Sequence, residues 1–262
     1  MAVISEVESP TRHSCDTAAD AVAIPLEPWF LSEPRASYAS LTHRLNSAKW
    51  QHTHPLVSDC QPGYLFAKRC LDIVGSVVAI LLFSPIMFLA AVVIKLTDWG
   101  PVFYVHTRIG LGGKAFKCVK FRSMVVDADG LKLNLESCNS HDDSRTFKIP
   151  NDPRVTWVGR LMRRSSIDEL PQLFNVLMGQ MSLVGPRPPV PGEVAQYSRG
   201  DMRRLAVKPG LTCLWQVSGR SRLSFPEQLR LDIEYIEKRS LMFDLMLIVM
   251  TFPAVVKADG AY

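Results

Sequence analysis

At 262 residues with a formal net charge of +5, the chain fits one core domain with appendages. Residues 1–62 hold four Lys/Arg and seven Asp/Glu, so the remaining 200 carry +8, an excess suited to an anionic leaflet or to phosphorylated substrates. The six cysteines show no CxxC spacing and only His106 and His141 lie beyond the N-terminal tail, which argues against a disulfide framework, a zinc site or a histidine-based hydrolase; no recognition motif supports nucleic acid.

In chain order, Met1-Ala2-Val3-Ile4-Ser5-Glu6 offers neither a basic start nor an apolar core, so no signal peptide is expected. Residues 1–62 are rich in Pro, Ser, His and Thr and read as a polar, mostly disordered tail, with a short helix around Tyr38 to Trp50 the exception. From Ile73 to Ile94 there is no charged residue, between Lys68, Arg69 and Asp72 on one side and Lys95 on the other. About 22 residues at 1.5 Å each reach roughly 33 Å, enough to cross a bilayer. Ser84-Pro85 interrupts the run at its middle. Proline removes a backbone donor and bends the helix, while the serine hydroxyl can satisfy the freed carbonyl. Each half is then about a dozen residues, roughly 18 Å, too short to cross alone. Basic residues at both ends fit two ends on one side of the membrane. Length alone favours a spanning anchor; the kink and the basic flanks leave a re-entrant hairpin open.

Val102 to Val105 and Ala115 to Val119 flank Gly110, Gly112 and Gly113, the pattern of a β-hairpin. Asp127 to Arg145 is polar and reads as loop with some helix. Val155, Val158, Leu161 and Met162 then form an apolar stripe, with Arg160, Arg163 and Arg164 off it. These arginines suit either a solvated face or bidentate phosphate binding. Next comes an adjacent acidic pair, Asp168-Glu169. Leu170, Leu173, Phe174, Leu177 and Met178 follow at i, i+3, i+4, i+7 and i+8, an amphipathic helix stopped by Gly179. The pair thus falls in a first helical turn, where free N–H groups favour anions. Ser166-x-x-Glu169 is also a capping box, which would explain the acids without any function, although Pro171 shifts the cap.

Met181-Ser182-Leu183-Val184 leads into Gly185-Pro186-Arg187-Pro188-Pro189, a stiff loop that holds Arg187 with little freedom left to lose. Phe225 to Lys238 reads as a helix with Pro226 in its first turn. Leu241 to Val256 is apolar but contains Asp244 and Pro253, and it is too interrupted to span comfortably. Met242, Phe243, Met246, Leu247 and Met250 fit either core packing or an interfacial helix. No G-x-G-x-x-G follows a strand, so a Rossmann domain is not expected.

Several motifs occur together in order: Lys120-Phe121-Arg122-Ser123-Met124, Asp152-Pro153-Arg154-Val155-Thr156, Ser166-Ile167-Asp168-Glu169-Leu170-Pro171-Gln172-Leu173 and Met181 to Pro188. Lys208-Pro209-Gly210-Leu211-Thr212, Trp215-Gln216-Val217-Ser218-Gly219-Arg220 and Gly260-Ala261-Tyr262 complete the series. From roughly Tyr64 to Tyr262 the chain resembles the bacterial sugar transferase family, the monotopic polyprenyl-phosphate phosphoglycosyl transferases. It is most similar to the short members that initiate exopolysaccharide. The resemblance implies an α+β, helix-dominated fold: a small membrane-associated catalytic domain with an N-terminal kinked re-entrant membrane helix. The divisions are a tail over 1–62, a re-entrant helix-hairpin over 63–97 and a cytoplasmic catalytic domain over 98–262, at the cytoplasmic face of a bacterial inner membrane.

By the same resemblance, Asp168 is the nucleophile toward a UDP-sugar, with UDP-glucose or UDP-galactose the expected donors. UMP leaves, and undecaprenyl phosphate then takes the phosphosugar. Asp168 and Glu169 are the expected ligands of Mg²⁺, which takes one or two carboxylates plus phosphate oxygens and water. Arg163, Arg187 and Arg220 are expected to face the diphosphate or uridine, with Lys120 and Arg122 nearby; Ser84 and Pro85 form the kink. Membrane lipid is a partner, and a homodimer is left open. Cys213 stands where the family has glycine, and Glu237-Lys238-Arg239-Ser240-Leu241 lacks the usual tryptophan before serine. The competing reading is a non-catalytic, membrane-anchored scaffold that binds anionic lipid. Glycoside hydrolysis is a poor fit, since it needs carboxylates on opposite sides of a bond.

Overall fold

The computed structural model describes residues 62–128, 130, 131, 149, 151–198, 200–219 and 223–257. The tail before Pro62, most of Asp127–Arg145, Arg220 and Gly260-Ala261-Tyr262 lie outside the described residues.

Helix α1 runs from Pro62 to Asp98 with Pro85 inside it. Pro85 has no N–H for the carbonyl four residues back, Leu81. The Ser84 hydroxyl donates to that carbonyl at 2.9 Å, so the backbone stays satisfied through the apolar middle. Both ends of α1 rest on the same globular unit. Near the start, Lys68 reaches the buried Asp244 at 2.8 Å, and Arg69 donates to the carbonyls of Val176 and Leu177. Near the end, Ala90 and Ile94 pack with Phe121, Val158 and Met162. Between these contacts Val77, Val78, Leu81, Leu82, Phe88 and Leu89 are exposed.

Strands β1 (Phe103–Ile109) and β2 (Ala115–Phe121) form an antiparallel hairpin with Phe103 opposite Phe121 and Ile109 opposite Ala115. The turn uses Gly112 and Gly113 at positive φ, the conformation that glycine adopts without strain. After β2 the chain reaches α2 (Trp157–Arg164), whose N-cap Thr156 accepts from Gly159 N at 2.9 Å. A Cβ on Gly159 would lie 1.9 Å from the carbonyl oxygen of Ser123, so glycine lets α2 sit against the segment following β2. The apolar stripe expected here splits. Val158 and Met162 are buried, but Leu161 is 63 % exposed beside Arg160 and Arg164.

Helix α3 (Gln172–Leu177) is shorter than the periodicity implied and buries another face. Gln172, Leu173, Asn175 and Val176 point inward, while Phe174 and Met178 are exposed. Gly179, at φ +78°, ends it as expected. Strand β3 (Ser182–Val184) pairs in parallel with β4 (Gly210–Thr212). Between them lie α4 (Pro191–Ala195) and a 3₁₀ segment, Asp201–Ala206. There Arg204 meets the fully buried Asp232 at 2.6 Å and Glu193 at 2.7 Å. After β4 come α5 (Leu214–Ser218), α6 (Phe225–Lys238) and α7 (Leu241–Lys257). Helix α6 has the expected bounds and starts with a Ser224/Glu227 capping box. Helix α7 turns Asp244 and Leu247 inward and leaves Met242, Met246, Val249 and Met250 exposed. The described fold is thus rich in helix, with two small two-stranded sheets.

Candidate active site

The acidic pair does not cap a helix. Ile167–Glu169 is a 3₁₀ turn preceding α3, entered through Ser166 in the left-handed region at φ 58° with no side-chain cap bond. Glu169 instead receives Lys120 Nζ at 2.6 Å. The capping-box expectation therefore fails at Ser166. What fixes the turn is Asn175, fully buried one turn into α3. Its Oδ1 accepts from Val119 N at 3.1 Å, and its Nδ2 donates to Lys117 O and Gln180 Oε1, each at 2.7 Å. One amide thus mimics a strand neighbour on β2 and sets the spacing between the turn and Lys120.

Asp168 is 7 % exposed. Burial first, and then the Glu169 charge, raise its carboxyl to about 6 against the pull of Lys120 and Arg163. Glu169 goes the other way. Burial pushes it up, but the Lys120 charge and hydrogen bond, with Arg187 and Arg108, hold it below the usual carboxylate range. Two adjacent acids therefore have unlike environments.

Among the described residues, four cations border the pair. Lys120 comes from β2. Arg163, on the last turn of α2, donates through Nε to Ser123 Oγ at 2.9 Å. Arg187 stands exposed on its loop with its guanidinium 5.8 Å from the centre of the Trp215 ring, within the range of a cation–π contact. The loop is fixed by backbone bonds from Gly185 N to Thr212 O and from Gly210 N to Pro186 O. Glycine is required at Gly210, where a Cβ would meet Gly185 N at 2.1 Å.

The fourth cation, Arg108, was not anticipated. Its Nη1 donates to Pro188 O at 2.9 Å, and Ile109 N donates to Pro189 O at 3.0 Å, so β1 clamps the far side of the loop. Arg108 Nε also donates to His106 Nε2. Burial lowers His106 to about 2, with Arg108, Lys120 and Arg187 adding to the effect, so the imidazole stays neutral and carries its proton on Nδ1. The available signal was the spacing: His106 and Arg108 alternate on the β1 face opposite Cys118 and beside Lys120.

Arg122, expected near the pair, points elsewhere. It forms an ion pair with Asp98 at the end of α1. Arg220 lies outside the described residues. Ser84 and Pro85 lie in the middle of α1, where the Ser84 hydroxyl donates to Leu81 O.

Against two carboxylates, four cations leave an excess of positive charge, which suits a diphosphate. Among the described residues no three His, Cys, Asp or Glu side chains group as a metal cage. Two neighbouring carboxylates do fit a Mg²⁺ ion that takes its other ligands from phosphate oxygens and water.

Compared with protein families, residues 63–258 match the family described as bacterial sugar transferase. The chain belongs to the bacterial sugar transferase family. It is 44 % identical over 199 residues to the exopolysaccharide production protein ExoY of Rhizobium meliloti, covering 75 % of this chain and 88 % of that one. It is 43 % identical over 201 residues to the undecaprenyl-phosphate galactose phosphotransferase of Salmonella typhimurium, covering 75 % of this chain and 42 % of that one. With the UDP-glucose:undecaprenyl-phosphate glucose-1-phosphate transferase of Caulobacter vibrioides the identity is 41 % over 203 residues, covering 74 % and 72 %.

The geometry also bears on one departure of this sugar transferase from the usual motif. Cys213 has φ −136° and ψ 159°, an extended backbone open to any residue, and its Sγ lies 3.2 Å from Gln216 Oε1. Nothing there requires glycine.

Proposed function

We propose that this transferase moves a hexose 1-phosphate from a UDP-sugar to undecaprenyl phosphate through a covalent phosphosugar on Asp168, beginning a surface polysaccharide. The observation that carries the reading is the unlike pair, with Glu169 held ionised by Lys120 and Asp168 buried beside it with a raised pKa. UDP-glucose and UDP-galactose are the donors that the relatives' names suggest.

In the first step an Asp168 carboxylate oxygen attacks the sugar-bearing phosphorus. The bond from that phosphorus to the bridging oxygen breaks, and UMP leaves with the bridging oxygen and its electron pair. In the second step a phosphate oxygen of the polyprenyl carrier attacks the same phosphorus and displaces the carboxylate. The product is a polyprenyl diphosphate sugar, and Asp168 returns ionised. Splitting one displacement into two is the use of a covalent relay, with ping-pong kinetics as its sign. Arg163, Arg187, Arg108 and Lys120 neutralise phosphate charge and hold the reacting groups in line. Asp168 and Glu169 would hold Mg²⁺, which supplies further neutralisation of the diphosphate when bound. His106, kept neutral, adds no further charge beside these cations.

The same proposal places α1 as a re-entrant helix entering from the cytoplasmic face. Support comes from its two ends. Lys68 and Asp72 near one end, and Ala90 and Ile94 near the other, contact the same globular unit. A spanning helix would separate those ends by the thickness of a bilayer. The exposed methionine face of α7 then lies in the interface.

The test is UMP release by purified protein in nanodiscs with Mg²⁺, undecaprenyl phosphate and a panel of UDP-sugars, beside Asp168→Asn. Release with one sugar, lost in the variant, is the expected result. Full activity in the variant would sink the nucleophile assignment. An N-terminal tag reachable only from the periplasm would sink the re-entrant topology.

A further inference from the structure

Among the described residues, strand β3 pairs with a strand, β4, along one edge only. Helix α1 bonds to Leu183 N and, together with Tyr235, to Val184 O. Asp72, 3 % exposed, accepts through Oδ1 from Leu183 N at 2.9 Å and from Ser182 Oγ at 2.8 Å. One turn earlier, Lys68 Nζ donates to Val184 O at 3.0 Å. Two side chains of the apolar helix therefore serve two successive residues of β3 as an adjoining strand would. The approach is close: a Cβ on Gly75 would lie 2.6 Å from Leu183 Cδ1.

This strand leads directly to the donor site. Arg187 lies three residues beyond β3, and Trp215, the ring under its guanidinium, lies three residues beyond β4. Little slack separates β3 from Arg187. Gly185 N is bonded to Thr212 O, Pro186 O to Gly210 N, and Pro188 O to Arg108. A shift of β3 on releasing Leu183 N thus passes through the Gly185–Gly210 contact into the Arg187 loop.

We infer that Asp72 is a positioning residue for Arg187, so that the apolar helix forms part of the nucleotide-sugar site as well as an anchor. This rests on the functional reading above. Asp72 touches no reacting atom; it acts through β3. Lys208 also lies within electrostatic range of Asp72, Lys68 and Arg69.

The experiment is a double-mutant cycle on the full-length protein in nanodiscs, read as the donor KM for UMP release from UDP-glucose and UDP-galactose. Asp72→Ala is expected to raise KM roughly tenfold, the scale of one or two lost hydrogen bonds. In an Arg187→Ala background the same change is expected to add less than about twofold, because its route is already cut. Asp72→Asn, which retains the accepting oxygen, is expected to stay within about threefold of wild type. Hydrogen exchange supplies a second readout: amides over 183–187 should exchange faster in Asp72→Ala, with β1 and β2 unchanged. If the two substitutions multiply independently, or if exchange over 183–187 does not move, the inference is overturned. Should Asp72→Ala not fold, Ser182→Ala removes one of the two bonds and carries the same cycle. Absence of UMP release from wild type with any donor would defeat the transferase reading alone, and exchange would still decide whether α1 holds β3.

Discussion

Replacing Asp168 by asparagine separates a chemical role from a capping role by the sign of its effect on stability. Burial first, and then Glu169, raise the folded-state carboxyl from 3.8 to about 6. The folded pKa is the higher one. Below about pH 4 both states are protonated and the group contributes nothing. Between about 4 and 6 the folded protein retains a proton that the unfolded chain has lost. Above 6 the ionised, buried carboxylate opposes folding by its full amount. About two pKa units at about 1.4 kcal/mol each come to about 3 kcal/mol. Asparagine keeps the shape and lacks the charge, so Asp168→Asn is expected to stabilise the metal-free protein by about 3 kcal/mol at pH 7.5. For a chain of this size that is roughly 6–12 °C in melting temperature. The assay is thermal melting in nanodiscs with EDTA, for wild type and variant, from pH 4.5 to 8, beside UMP release at neutral pH. The gap should grow with pH, level off above 6, and accompany complete loss of turnover. A helix-capping aspartate predicts the reverse sign, a loss of about 1 kcal/mol. A less stable variant, or a gap independent of pH, would refute the reasoning.

Lys120→Met removes the cation that holds Glu169 low and pulls Asp168 down. In the metal-free protein, the pH at which the Asp168→Asn stability gap levels off should then move upward; an unmoved midpoint would detach Lys120 from the pair. Asn175→Ala cuts the bonds to Val119, Lys117 and Gln180 and should cost about 2–3 kcal/mol, read as a lower melting temperature with kcat falling more than the donor KM rises. Gly159→Ala places a Cβ 1.9 Å from the Ser123 carbonyl, and backbone cannot yield as a flexible side chain does. The expected cost is at least about 2 kcal/mol, with folded yield and melting temperature the measurements.

Elements with local signals were legible in the sequence. Helix α6 carries its own capping box, an early proline and Lys238 in its last turn, and the hairpin carries alternation and a glycine turn. The stripe from Leu170 to Met178 was only half readable. Its pattern selected Phe174 and Met178, which are exposed, and passed over Asn175, which is fully buried. Two physical reasons account for this. Asn175 belongs inside because of partners on β2, 56 and 58 residues away, and no local window contains them. In a chain with exposed apolar helix faces, moreover, apolar residues mark two surfaces, the core and the outward face. Periodicity finds apolar faces without telling those two apart. Leu161 on α2 and the methionines of α7 divide in the same way.

The candidate site was legible where chemistry sits in adjacent residues and illegible where it depends on tertiary paths. Asp168-Glu169 and the stiff loop around Arg187 announce themselves; Arg108 does not, because its clamp on Pro188 joins positions 80 apart. Arg122 shares a motif with Lys120, but β2 ends at Phe121 and the next side chain turns to Asp98. What no spacing could reveal is the division between the two acids. Glu169 is held as a fixed anion by Lys120, Arg187 and Arg108, and its charge in turn helps to raise Asp168. A carboxyl near 6 is mostly ionised at neutral pH, yet more basic than an ordinary aspartate. That combination favours a nucleophile, and the environment, not the residue type, decides which of the two acids has it.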